Sequence, residues 1–174
     1  MPCGRRRVEM AAALSAVRRV GDGLQTRGLT VAVAESCTGG MLGSRLTSVA
    51  GSSGWFRGGV IAYANEVKSA VLGVRSRTLA RHGAVSGRTA VEMARGVRKA
   101  LGAGVGVGVT GIAGPGGGGG RKPVGLVWIG ISDRSGAFAR RFVFGGSRAA
   151  VRAQAVSAAL VLLANRIRRE KKHG

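Results

Sequence analysis

Acidic side chains are scarce in this chain: seven Asp and Glu face 28 Lys and Arg across 174 residues, a formal charge of +21. Aromatics are equally rare at 4%, while hydrophobic residues reach 45%. The core must therefore be built from Val, Ala, Leu and Ile, which suits alternating strands and helices and argues against an aromatic-rich sandwich. Two cysteines, Cys3 and Cys37, exclude a disulfide framework and offer no metal-ligand spacing. No run reaches the roughly 18 to 20 apolar residues of a membrane span, and the start lacks the apolar core and cleavage site of a signal peptide. The expectation is a cytoplasmic protein of bacterial type with no membrane partner. Its length suits one compact domain.

What is abundant is arginine, spread along the whole length, with dense runs only at 5–7 and 166–172. Such charge fits a polyanionic partner through counterion release, but few aromatics are present to stack on bases. Dispersed solvated charge is the preferred reading, and a nucleic-acid partner is kept as the alternative.

Residues 1–9 read as a disordered basic lead, 10–168 as the folded domain and 169–174 as a basic tail. Apolar spacing of three and four predicts a helix over 8–27. Thr30 to Ala34 is a short β-branched run, hence a buried strand, and 41–49 reads as a helix. Gly59 to Tyr63 predicts a second strand, with Asn65 capping a helix through Leu72. Ser86 caps a helix over 88–101 with Val91, Ala94, Val97 and Leu101 on one face. Val105 to Val109 is a strand thinned by glycine, where a backbone or ligand can approach closely. Residues 124–132 and 137–144 flank an Asp133 to Gly136 turn as a hairpin, and Ser147 caps a last helix over 148–168. The order α-β-α-β-α-α-β-β-β-α points to an α/β fold. It is read as a single three-layer α/β/α sandwich with a mixed, mostly parallel sheet of about five strands.

Three stretches could carry chemistry. Ala34-Glu-Ser-Cys-Thr-Gly-Gly40 leaves the carboxyl end of a strand, where open α/β sheets present ligands and where amides and a helix start favour an anion or oxyanion. Tyr63 and Lys68 flank the start of the next helix; a lysine desolvated beside a hydroxyl loses preference for its charged form and can serve as a base. Thr110-Gly-Ile-Ala-Gly-Pro115 follows a strand and precedes the glycine run 116–120; it is neither a Walker loop nor a dinucleotide fingerprint. Arg148, opening the last helix, is a candidate anion clamp. The bland alternatives are a capped turn, a surface lysine, a flexible spacer and one arginine among many. His82 and His173 have no partner motif and are read as solvent-facing.

Taken in order, AESCTGG, GSSGWF, GVIAYANEVK, HGAVS, TGIAGP, KPVG and FGGSR resemble the CinA C-terminal domain family over about residues 10–165. The resemblance implies a three-layer α/β/α fold and an amidohydrolase that converts nicotinamide mononucleotide to nicotinate mononucleotide and ammonia. It implies Ser36 as nucleophile, Tyr63 and Lys68 as its assistants, and no metal or cofactor. Amides of Thr38 to Gly40 would hold the oxyanion. Glu35, Thr38, Gly39, Gly40, Thr110, Gly111, Gly114 and Arg148 would contact the nucleotide substrate, Arg148 on its phosphate. The bare glycine run departs from the polar or acidic residues usual in relatives. The competing readings are a catalytically silent nucleotide-binding module and a basic nucleic-acid-binding protein. A homo-oligomer, dimer or higher, is expected, with Trp55 read as exposed.

Overall fold

The computed structural model describes residues 3–169, with side chains from Leu14 onward. The elements are α1 (Cys3–Thr26), β1 (Val31–Glu35), α2 (Met41–Leu46), β2 (Phe56–Ile61), α3 (Asn65–Leu72), α4 (Ser76–His82), α5 (Gly87–Ala100), β3 (Val105–Gly111), β4 (Leu126–Asp133), β5 (Gly136–Val143) and α6 (Arg148–Arg169). The five strands form one sheet in the order β2-β1-β3-β4-β5. β1 runs parallel to β2 and β3, whereas β4 is antiparallel to both β3 and β5. Four strands thus share one direction and β4 alone opposes them, as the mixed α/β expectation requires.

Alternation along the central strands assigns the two faces. Val31, Val33, Val105, Val107 and Val109 join the core beneath α1, α2 and α6. Ala32 and Ala34 instead meet Leu72, Met93 and Val97 of α3 and α5. On that second face the small residues let a helix sit almost on the backbone. A Cβ at Gly106 would fall 2.0 Å from the Ala94 carbonyl oxygen, and one at Gly108 or Gly130 would fall 2.4 Å from that of Ala90. The thinning of β3 therefore accommodates α5, not a ligand. Ser86 caps α5 as expected, its side chain accepting from the Thr89 amide. The buried face of α5 is Ala90, Met93, Ala94 and Val97, turned slightly from the expected one, since Val91 is only half-buried.

Other boundaries shift. α1 begins at Cys3, so residues 3–9, expected as a disordered lead, form its first turns. Residues 170–174 of the expected tail, with His173, lie outside the described residues. β2 ends at Ile61, leaving Tyr63 in the loop; the residue before α3 is Ala64, and Asn65 is inside the helix and caps nothing. α4 has no counterpart in the expected order. Trp55 is 3% exposed and packs on Gly21, which removes the exposed-tryptophan argument for self-association. His82 is exposed, as read. Among the described residues α6 is long and apolar enough, by length and composition, to cross a membrane. Here its stripe of Val151, Ala155, Ala159, Leu163 and Ile167 is buried.

Candidate active site

Strand direction places the ends of β1, β2 and β3 and the start of α6 along one rim, the carboxyl edge where ligands bind in open α/β sheets. β1 gains one residue of ladder there: the Ser36 amide donates to the Val109 carbonyl at 2.9 Å. Ser36 continues the phase of Ala32 and Ala34, which puts it on the α3 face. Its side of the rim also carries Lys68, the fourth residue of α3.

Lys68 is 1% exposed. Its Nζ donates to the carbonyl oxygens of Ala62 at 2.8 Å and Tyr63 at 2.9 Å. The Ala62 amide in turn donates to the Glu35 carbonyl at 2.8 Å, which ties the lysine's anchor to the residue before Ser36. Burial lowers the lysine's pKa from its ordinary value, opposed in part by the Cys37 and Glu66 side chains nearby. Two carbonyl acceptors take two N–H bonds and leave the third tetrahedral position, a lone pair when the amine is neutral, without a described partner.

Cys37, next to Ser36, is buried and its thiol pKa is pushed up to about 11 by desolvation. It is a thiol at neutral pH, inert as a nucleophile. The Ser36 hydroxyl makes no hydrogen bond to a described residue, and no hydrogen bond joins the side chains of Ser36, Tyr63 and Lys68 directly. Tyr63 reaches Lys68 through its carbonyl; the residue is 62% exposed and its phenol accepts from Arg148 Nη2 at 3.1 Å. Arg148 Nη1 donates to the Gly114 carbonyl at 2.7 Å, so one guanidinium links the loops after β2 and β3 to the start of α6.

Several expected substrate contacts are instead parts of the frame. The Glu35 carboxylate, 2% exposed, accepts the amides of Gly40, Leu42 and Gly43 at 3.1, 3.0 and 2.8 Å. It fixes the first turn of α2, where acids are favoured, and has no free oxygen turned to the rim. The Gly39 amide donates to the Ser36 carbonyl at 3.1 Å and that of Gly40 is taken by Glu35. These two glycines therefore do not supply the oxyanion donors; the Cys37 amide is turned to its own thiol, and the Thr38 amide makes no hydrogen bond to a described residue. Gly39 and Gly40 have φ of 55° and 91°, so they turn the chain. The Thr110 hydroxyl donates to the Ala84 carbonyl at 2.9 Å, and a Cβ at Gly111 would fall 2.6 Å from the Leu126 carbonyl oxygen. Both residues hold neighbouring segments in place.

Arg152 was not distinguished by sequence reasoning. Its Nη2 donates to the Thr38 carbonyl at 2.8 Å, while its Nε and the Thr38 hydroxyl are both buried without a hydrogen-bond partner. A position four residues after Arg148 on one helix face was the available signal. Together the two arginines make the rim strongly cationic beside a hydroxyl and a buried amine. Such an arrangement suits an anionic substrate attacked by a serine.

The class follows from fold and rim together. A match to the CinA C-terminal domain model spans residues 13–167, and the chain belongs to that family. It is 50% identical over 146 residues to the nicotinamide-nucleotide amidohydrolase PncC of Escherichia coli K12, covering 83% of this chain and 88% of that one. A putative competence-damage inducible protein of Moorella thermoacetica is 53% identical over 140 residues, 80% of this chain but 34% of its own length. The chain thus spans about a third of the longer curated relatives it matches. Among solved structures, competence damage-inducible protein A of Klebsiella pneumoniae superposes with a TM-score of 0.88 at 35% identity, covering 91% and 99% of the two chains. A competence/damage inducible protein of Agrobacterium tumefaciens gives 0.86 at 40% identity, covering 90% and 96%.

Proposed function

We propose that this chain is a cytoplasmic amidohydrolase that releases ammonia from nicotinamide mononucleotide, with Ser36 as nucleophile. The observation that carries the reading is the buried amine of Lys68. It is held by two carbonyls on the sheet face that Ser36 shares, in a chain half identical to a nicotinamide-nucleotide amidohydrolase. Neutral Lys68 takes the Ser36 hydroxyl proton as Oγ bonds to the amide carbon. The Thr38 amide faces the oxyanion that develops. Collapse of the tetrahedral adduct returns the proton to the departing nitrogen as ammonia, and water then hydrolyses the acyl-serine. The negative phosphate is drawn to the Arg148 and Arg152 end of the rim. Tyr63, turned toward Arg148, lines the substrate side and does not relay the proton.

The test is ammonia release from nicotinamide mononucleotide by purified, folded protein. Ser36→Ala abolishes turnover, Lys68→Ala lowers kcat at least about a hundredfold, and Cys37→Ala stays within about threefold of wild type. Wild-type kcat rises with pH toward a midpoint below the ordinary lysine value of about 10.4. Binding of the mononucleotide without turnover identifies a silent nucleotide-binding module; turnover that survives in Ser36→Ala refutes the nucleophile.

A further inference from the structure

Some of the arginines that look dispersed along the chain converge in space. Arg88, Arg95 and Lys99 follow one another on α5 at spacings of seven and four, which is one side of the helix. Two adjoining surface hollows share Arg95. One is bordered by Arg88 and Arg75, the other by Arg98, Lys99 and Arg134. Among the described residues, the acids bordering the hollows, Glu92 and Asp133, are already neutralised. Glu92 accepts from Arg75 Nε at 2.8 Å, and the Asp133 carboxylate is bound by Arg166. Arg98 is directed at neutral acceptors, the Ser132 hydroxyl and the Asp133 carbonyl, so its charge is uncompensated. Arg88, Arg95, Lys99 and Arg134 are exposed and have no ion pair among the described residues.

We propose that this α5 face is a second binding site, separate from the catalytic rim, and that it takes the phosphate backbone of duplex nucleic acid. From Arg88 to Lys99 the helix advances about 16 Å, long enough to meet several phosphates at one charge per roughly 1.7 Å of duplex. Charge density favours the duplex over a single strand, because the hollows offer no exposed aromatic platform for unpaired bases. A lipid surface is disfavoured because the exposed large hydrophobics among the described residues are Ile61, Tyr63, Val71, Val124, Val143 and Val161, none of them bordering the hollows. The Arg98 to Arg134 end lies at the strand ends opposite Ser36. Contacts are to phosphate only, and the site reads no sequence.

The experiment is fluorescence anisotropy of a labelled 20-base-pair duplex with the full chain, titrated from 50 to 200 mM salt. Five cations predict a log–log salt slope of about −4.5. The triple variant Arg95→Gln/Lys99→Gln/Arg134→Gln, with unchanged circular dichroism, weakens binding at least about tenfold and flattens the slope by about 2.7. A control triple with the same loss of charge, Arg18→Gln/Arg57→Gln/Arg121→Gln, changes affinity less than threefold. Arg134→Gln alone, in the exposed β4–β5 turn, flattens the slope by about one and serves if the triple does not fold. Equal loss in both triples, no binding at 50 mM salt, or preference for phosphatidylglycerol vesicles over the duplex overturns the proposal. Each outcome is independent of whether ammonia is released at Ser36.

Discussion

The Glu35 carboxylate separates a substrate contact from a framework role, and Glu35→Gln tests which it is. The glutamate accepts three backbone amides from the start of α2 at 2.8 to 3.1 Å, with 2% of its surface exposed. Glutamine has nearly the same shape but only one acceptor oxygen. If that oxygen keeps Gly40 and Leu42, an NH2 group faces the Gly43 N–H, and one charge-assisted bond worth about 2 kcal/mol is lost. The two bonds that survive fall to neutral strength, at about 0.5 kcal/mol each. The sum is about 3 kcal/mol, or roughly 6 to 12 °C in Tm for a domain of this size. Urea unfolding followed by far-UV circular dichroism measures the first quantity and thermal melting the second. KM for nicotinamide mononucleotide, taken per folded molecule, stays within about twofold. A stability loss under 1 kcal/mol together with a tenfold rise in KM refutes the framework role and returns Glu35 to the substrate.

Two further outcomes probe burial. Because burial lowers the Lys68 pKa, the unfolded chain binds more protons than the folded one between that lowered value and the ordinary lysine value. Wild-type stability relative to Lys68→Met therefore rises with pH across that window; a pH-independent difference in urea midpoints contradicts the buried, desolvated amine. On the second face, Gly106→Ala puts a methyl 2.0 Å from the Ala94 carbonyl oxygen and costs at least about 3 kcal/mol. Gly116→Ala meets nothing within 4 Å and stays within about 0.5 kcal/mol. Similar urea midpoints for the two variants refute the close seating of α5.

Much of this architecture was legible because its signals are local. Strands β1 and β3 are short β-branched or glycine-spaced runs, the β4–β5 hairpin turns on Arg134 and Ser135 between the paired Asp133 and Gly136, and Ser86 and Ser147 cap α5 and α6 through their own side chains. α4 was invisible because Ser76 to His82 has one large apolar residue, Leu79, and no periodic face. Tyr63 reads as a strand end because the apolar run continues through Ala62, while pairing stops at Ile61. At the site, Ser36 and Lys68 stood out as residue types at strand and helix ends. Glu35 was misread because a carboxylate in a glycine-rich turn resembles a ligand group until tertiary structure brings three amides onto it. Arg152 is one of 23 arginines, and only its four-residue spacing from Arg148 sets it apart in the sequence.

The seating of α5 on Gly106, Gly108 and Gly130 also bears on how the protein can change. At these positions any side chain would collide with the helix backbone, so variation there is closed whatever its polarity or size. Adaptation in this half of the molecule is left to the outer side of α5 and to the turns at either edge, where new charge can be added without moving a helix.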